Sequence, residues 1–206
     1  MRGPLLSGPL GSQPTLEALL RWTELPSAVS PKGDPPKGDS TKGVTGADAA
    51  LSRPPVVVLG PPWLGAALAR GGRTLLLVEG DLRPQALRTH RRAKKESRPL
   101  DVALAAAELP FGRGTLSALV VENVAGLPPA EGERWIAALM PLLRPGGRLI
   151  AADATSSDVA AAHVAGAFLA AALLEIVQEW PREGAVLTVG IAPSASVTAA
   201  RFDFPV

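Results

Sequence analysis

Few residues in this sequence could bind a ligand or take part in a reaction, and they are glycines and acids at the ends of hydrophobic runs. Gly60 follows the run 56–59, Glu79 ends the run 73–79, and Glu122 ends the run 116–122. Glycine lets a ligand approach the backbone closely, and a carboxylate accepts hydrogen bonds. The 206 residues include no Cys, no Tyr and only two His. This composition excludes disulfides, thiolate metal sites and a cysteine nucleophile, and it argues against a histidine-built metal site.

The overall charge of the chain does not point to a nucleic-acid partner. Lys and Arg number 21 against 19 Asp and Glu, a formal net charge of +2. The calculated isoelectric point of 9.4 reflects the missing Cys and Tyr rather than a basic surface. One basic helix, 83–98, stands out, but no aromatic residues interleave with its cations, which argues against stacking on single strands. This pattern favours a helix whose charged face is exposed to solvent. Binding to an acidic protein partner is the alternative.

The chain divides into four parts by composition. Residues 1–25 contain a short helix, 14–25, with Thr15 as its expected N-cap, which either packs on the main domain or serves as a detachable docking helix. Residues 26–54 repeat Pro-Lys-Gly-Asp and are expected to form a flexible linker that proteases cleave first. Residues 55–192 carry the regular elements, and 193–206 form a tail.

Nothing in the sequence indicates a membrane segment or a secretion signal. Gly and Pro interrupt the apolar N-terminal residues early, and the longest apolar stretch, 159–174, is short and rich in Ala. We therefore expect a cytoplasmic protein without a membrane partner.

The order of elements in 55–192 predicts a three-layer α/β domain. Short continuous runs of Val and Leu alternate with helices, which is typical of a parallel sheet covered on both faces. The strands are expected at 56–59, 73–79, about 100–104, 116–122 and 148–153. Residues 173–180 and 185–192 flank the turn Pro-Arg-Glu-Gly and predict an antiparallel hairpin, which makes the sheet mixed.

Two stretches carry a resemblance to a known family. Leu-Pro-Phe at 109–111 precedes the run 116–122, and Leu-Arg-Pro-Gly-Gly at 143–147 leads into the run 148–153. This order resembles the class I S-adenosylmethionine-dependent methyltransferases. The resemblance covers about 140 residues and implies a Rossmann-like fold with a mixed seven-stranded sheet and a C-terminal antiparallel hairpin.

The resemblance also implies S-adenosylmethionine as a candidate cofactor, with four contact residues. Gly60 is the glycine of the family's first loop that persists, and Gly65 comes one residue later than the family spacing. Glu79 stands where the family places an acid to hold the ribose hydroxyls. Glu108 lies close to the position of the acid that contacts the adenine amine, directly before Leu-Pro-Phe.

The sequence departs from the family at most of the cofactor positions. Val58 occupies the place of the first-strand acid, and alanines occupy 105–107. Pro61 and Pro62 remove N–H donors, and Trp63 adds bulk where the family leaves room. No catalytic residue is assigned, because no base stands near Glu122 at the rim. The pattern predicts a pseudoenzyme, a non-catalytic or weakened methyltransferase homologue that acts through protein contacts; the alternative is an active methyltransferase on a small molecule.

The helix 156–172 is apolar all round apart from His163, so its outward face must be covered. This face could be covered in two ways. One is a second protein chain, which is either a different protein or another copy of this one; the other is the helix 14–25. In the latter case Leu16, Leu19 and Leu20 would meet Val164, Phe168 and Leu169. We therefore expect a protein partner or a homo-oligomer through the helices 156–172 and 14–25.

Overall fold

The computed structural model describes residues 9–23, 54–104 and 109–194, and these residues build one mixed seven-stranded sheet. The strand order is β3-β2-β1-β4-β5-β7-β6. The strands are β1 (Val56–Leu59), β2 (Thr74–Val78), β3 (Leu100–Leu104), β4 (Leu116–Glu122), β5 (Leu143–Asp153), β6 (Leu174–Arg182) and β7 (Ala185–Ile191). The first five strands are parallel, and β7 pairs antiparallel with both β5 and β6. The predicted mixed sheet and terminal hairpin are confirmed.

Helices cover both faces of the sheet. They are α1 (Gln13–Thr23), α2 (Pro62–Leu68), α3 (Arg83–Lys95), α4 (Pro129–Leu139) and α5 (Asp158–Ala170). The first three pack on one face, around Val58, Leu76 and Ile150, and the last two pack on the other, around Val57, Leu119 and Leu149. Among the helices within the described ranges, none combines the length and the apolar character needed to cross a bilayer.

Burial on both faces explains why the central strands are continuous apolar runs. Val57 and Val58 are adjacent in β1, point to opposite faces, and are both fully buried. The strand β4 is buried from Leu116 to Val121, and only Glu122 at its end is partly exposed. This strand pairs with β1 on one side and β5 on the other, so it lies in the middle of the core.

The N-terminal helix α1 lies on the sheet face opposite α5. Its Leu19 is buried in the same cluster as Val58 and Leu187, and Trp22 donates from Nε1 to Glu179 of β6 at 2.8 Å. The expectation that Leu16, Leu19 and Leu20 cover α5 within the same chain is therefore wrong. An amphipathic pattern shows that a helix has an apolar face, but it does not specify which face of the sheet that helix covers.

Two element boundaries differ from expectation for local reasons. The helix α1 begins at Gln13, so Thr15 lies within its first turn; it is buried and its hydroxyl donates to the carbonyl of Pro9 at 3.1 Å. The strand β5 begins at Leu143 instead of residue 148, because 144–147 form an irregularity within the strand. There Gly146 has a φ of +72°, which glycine adopts without strain.

Residues 1–8, 24–53, 105–108 and 195–206 are not among the described residues. The predicted linker up to residue 53, Glu108 and nearly all of the predicted tail lie outside the described part. The basic helix is α3, which buries Ala86 and Ala93 and directs most of its cations outward; Glu96 pairs with Arg92 and Arg98.

Candidate functional site

The candidate site lies at the carboxyl ends of β1, β4 and β5, where the strand order changes direction. The chain proceeds from β1 outward to β2 and β3 on one side, and then resumes at β4 on the other side of β1. In open α/β sheets, ligands bind in the crevice that this change of direction opens. Gly60 follows β1 at that crevice, and Glu122 ends the neighbouring β4.

Gly60 and Glu122 are in close contact across the two strand ends. A Cβ atom added at Gly60 would lie 3.4 Å from Cβ of Glu122 and 3.8 Å from its Oε2. The absence of a side chain at Gly60 therefore leaves the Glu122 carboxylate uncovered on that side. Glu122 is partly exposed, which makes it accessible at the crevice.

Asp153 ends the neighbouring strand β5 and is 1% exposed. Glu122 pairs with Ala152, so the side chain of Asp153 lies on the opposite face of the sheet. Its Oδ1 accepts a hydrogen bond from the backbone N–H of Ala125 at 2.8 Å, whereas Oδ2 has no hydrogen-bond partner among the described residues. Burial raises the pKa of Asp153 to about 6, although the backbone N–H groups of Ala125 and Val124 act in the opposite direction.

The charge of Asp153 also acts on Glu122. Burial raises the pKa of Glu122, and repulsion from the negative charge of Asp153 raises it further. The ion pairs found within residues 9–23, 54–104 and 109–194 include neither carboxylate. The same residues contain no group of three or more His, Cys, Asp and Glu that could hold a metal ion. Within the described part of the chain, neither acid thus has a cationic side chain at ion-pair distance.

The turn after β4 explains how the backbone reaches Asp153. Asn123 has a φ of +64°, a left-handed conformation that asparagine tolerates better than most residues. A Cβ at Gly126 would lie 2.4 Å from Oδ1 of Asn123, so a larger residue there would displace that side chain. This turn brings the N–H of Ala125 onto the carboxylate of Asp153.

The loop after β1 supplies few backbone donors. Pro61 is the N-cap of α2 and Pro62 is its first residue, so neither offers an N–H group. Trp63 is partly buried and packs against the core on the α1 face. Gly65 is buried, and a Cβ there would lie 3.0–3.2 Å from the side chain of Leu76, so its small size lets α2 pack closely on β2.

Two of the four predicted cofactor residues come to the same edge of the sheet. Gly60 follows β1, and Glu79 follows the adjacent β2 as an exposed residue before the 3-10 turn Gly80–Leu82. Gly65 lies further along α2, under Leu76, and Glu108 is outside the described residues. Cofactor contact by these four residues stays a prediction.

Asp153 was not predicted from the sequence as a site residue. The signal for it was present: β4 and β5 are neighbouring parallel strands, and each apolar run ends in an acid. Parallel strands bring their carboxyl ends to one edge of the sheet, so both acids lie at that edge.

A second feature of the chain is the outward face of α5, here called the α5 face, formed by Val159, Ala162, Gly166 and Leu169. All four residues are exposed, and the two large ones, Val159 and Leu169, are 66% and 70% exposed. The inward side of the helix packs on the sheet through Val164 and Phe168. His163 lines a cavity of about 10 Å³ between α5 and α4, room for a single water molecule.

The sequence matches no family model and no curated protein. Solved structures are similar in fold: the S-adenosylmethionine-dependent methyltransferase SibL in its apo form has a TM-score of 0.57 and 16% identity, over 67% of this chain and 50% of SibL. The methyltransferase in a complex with the Trm112 methyltransferase activator of Haloferax volcanii has a TM-score of 0.50 and 20% identity, over 71% of this chain and 88% of that one. The [4+2]-cyclase SpnF has a TM-score of 0.52 and 12% identity, over 68% of this chain and 75% of SpnF.

These comparisons show the fold and no more. The chain has the class I methyltransferase-like fold that its sequence resembles, with a Rossmann-like mixed sheet. It spans about half the length of SibL. Because one neighbour is a cyclase, likeness of fold does not identify the reaction.

Proposed function

We propose that this chain is a methyltransferase-fold domain that acts through protein contacts and not by methyl transfer. Its contact surface is the α5 face, and its partner is a second copy of the same chain. The observation that carries the proposal is the exposure of Val159 and Leu169, the two large apolar side chains at either end of that face. The described part of the chain leaves them uncovered, since α1 packs on the opposite face of the sheet.

The shape and charge of the α5 face suit pairing with a copy of itself. Ala162 and Gly166 form its middle, and a Cβ at Gly166 would meet nothing within 4 Å. Small residues let two helices approach closely. In a dimer with a two-fold axis, both copies contribute the same surface to the interface. The segment 159–169 contains no Asp, Glu, Lys or Arg, so two copies would meet without repulsion between like charges.

The energetics favour a reversible dimer. Fully burying a Val or Leu side chain contributes roughly 1.5–3 kcal/mol, and two copies would bury four of them. Association costs about 4–15 kcal/mol in lost freedom of motion, which is of similar size. We therefore expect an equilibrium between monomer and dimer that depends on concentration.

Two observations support the absence of catalysis. Pro61 is the N-cap of α2 and Pro62 is its first residue, so two N–H groups that could face a cofactor are missing at this end of the helix. Trp63, which follows the two prolines, is a large side chain that packs on the core. A neighbour of this fold is held in a complex with a methyltransferase activator, so the fold is compatible with work through a protein surface.

The test is sedimentation velocity over a range of protein concentrations. We expect wild type to shift from monomer to dimer, and Leu169→Glu to weaken the dimer at least tenfold. Leu87→Glu is the matched control, because Leu87 is also an exposed leucine on a helix, 43% exposed on α3. A wild type that stays monomeric at about 100 μM, or a Leu87→Glu variant that dissociates equally, would contradict the proposal.

The second candidate function is an active S-adenosylmethionine-dependent methyltransferase on a small molecule. The specific observation in its favour is that Glu79, exposed at the end of β2, lies next to the β1 end where Gly60 begins the crevice. Calorimetry with S-adenosylmethionine and its demethylated product separates the two functions. Binding tighter than about 100 μM, roughly 5.5 kcal/mol, that Glu79→Gln weakens would favour the enzyme and contradict the non-catalytic proposal.

A further inference from the structure

The basic helix α3 concentrates positive charge that its own neighbours do not offset. Between Asp81 and Glu96 the sequence has no acid, and all six of its Lys and Arg residues are exposed. The six are Arg83, Arg88, Arg91, Arg92, Lys94 and Lys95. Among the residues that the structure describes, only Arg92 of these six has a carboxylate within ion-pair distance, that of Glu96. Cations four residues apart on a helix repel each other, so this charge destabilises α3 unless a negative partner offsets it.

Two exposed leucines lie on one flank of the same helix. Leu87 of α3 is 43% exposed, and Leu104, the last residue of the edge strand β3, is 47% exposed. Leu104 lies on the same side of β3 as Leu100, which packs in the cluster that contains Ala86 of α3. His90 of α3 places its Nδ1 2.8 Å from the carbonyl oxygen of Leu100, and Leu87 precedes His90 by one turn. Both leucines therefore belong to the flank of α3 that faces the edge strand, here called the α3–β3 flank.

We infer that the α3–β3 flank is a docking surface for an acidic segment of another protein, with apolar side chains among its carboxylates. The cations on this flank are Arg83, Arg91 and Lys94, which lie one or two helical turns from Leu87 and on the same side of α3. These cations pair with carboxylates of the partner, and Leu87 and Leu104 pack on its apolar side chains. This inference goes beyond the proposed function and does not depend on it, because α5 covers the other face of the sheet.

The composition of the flank favours an acidic protein over a nucleic acid. The helix α3 contains no Phe, Trp or Tyr on which a base could stack. Phosphate groups need only cations, whereas exposed leucines contribute to binding only when the partner brings apolar surface to bury with them. The net charge of +2 also gives the chain little long-range attraction for a polyanion. An acidic segment with apolar side chains supplies both kinds of contact.

The test is fluorescence anisotropy of the full chain with a fluorescein-labelled peptide of repeated Glu-Leu-Glu-Glu, as long as α3. We expect a dissociation constant on the order of 10 μM. Arg91→Glu should weaken binding about tenfold through lost pairing and new repulsion. Leu87→Ser should weaken it about fivefold through lost apolar burial. Arg134→Glu, which changes an exposed arginine on α4, is the matched control and should bind as wild type does.

The stability of the charge variant separates binding from folding. Lys95 follows Arg91 by four residues, so Arg91→Glu replaces a repulsive pair with an attractive one. Its thermal unfolding temperature should therefore not fall, and weaker peptide binding would reflect the surface itself. Leu169→Glu should leave peptide binding unchanged, so that failure of the dimer and failure of this surface are distinguishable.

Four results would overturn the inference. Equal binding of a peptide in which serine replaces the leucines would show a general attraction of anions. Tighter binding of duplex DNA, lost in Arg91→Glu, would show a nucleic-acid surface. Equal weakening by Arg134→Glu would show that overall charge decides. Absence of binding up to about 1 mM peptide would show that there is no docking surface.

Discussion

Replacing Asp153 by asparagine removes a carboxylate whose burial is costly, while keeping its shape and the oxygen that accepts from Ala125. The pKa of Asp153 is raised from 3.8 to about 6. The folded state therefore binds this proton more tightly than the unfolded state. The contribution of the group to stability is complete below pH 4, and it is lost as the pH rises through about 6.

The size of the effect follows from the pKa difference. A shift of about two units corresponds to about 3 kcal/mol between the protonated and ionised forms. Asparagine carries no charge, so Asp153→Asn should raise the free energy of unfolding by roughly 1–3 kcal/mol at pH 7.5 and by about zero at pH 4. The range allows for the new amide group, which must itself find an acceptor where Oδ2 had no donor.

The assay is urea unfolding followed by tryptophan fluorescence at pH 4 and pH 7.5. Asp101→Asn is the matched control, because Asp101 is an exposed acid on β3 whose ion pair with Arg73 is also exposed. The control should change stability by less than about 0.5 kcal/mol at pH 7.5. The reasoning would be refuted if Asp153→Asn lowered stability by the same amount at both pH values, since the carboxylate would then be making stabilising contacts.

Two further predictions concern packing and capping. Gly65→Ala should destabilise the domain by about 1–3 kcal/mol, because the new Cβ would press on Leu76. Gly72→Ala is the control and should not destabilise it, because a Cβ there would meet nothing within 4 Å. Equal thermal unfolding of the two variants would count against the close packing of α2 on β2. Ser157→Ala should lower the free energy of unfolding by about 0.5–2 kcal/mol, because the Ser157 hydroxyl accepts a hydrogen bond from the N–H of Ala160 at the start of α5. Ser156→Ala is the control. Identical urea midpoints for the two variants would show that the cap is not stabilising.

Much of the sheet could be predicted because a strand that is buried on both faces is a continuous run of apolar residues in the sequence. The bounds of β1 and β4 match the apolar runs 56–59 and 116–122, since strands in the core must be apolar throughout. The start of β5 could not be predicted in the same way. Its first residues include Pro145 and Gly146, which locally indicate a turn, and pairing of Leu143 with Leu116 extends the strand past them.

The candidate site was only partly predictable. Gly60 and Glu122 could be located, because each follows directly on a buried strand. The role of Asp153 depends on which oxygen the N–H of Ala125 occupies and which is left without a donor, and that is decided by the turn at Asn123. The position of α1 was mispredicted, because Leu16, Leu19 and Leu20 suit either face of the sheet equally well.

The absence of cysteine allows a direct measurement of the central claim that two copies meet through the α5 face. A single Gly166→Cys substitution places a thiol at the middle of that face, where there is open space. A disulfide forms only when two Cα atoms lie within about 7 Å, so mild oxidation should give a covalent dimer. Leu87→Cys on α3 should stay monomeric under the same oxidation. Cross-linking of both variants alike, or of neither, would contradict the claim.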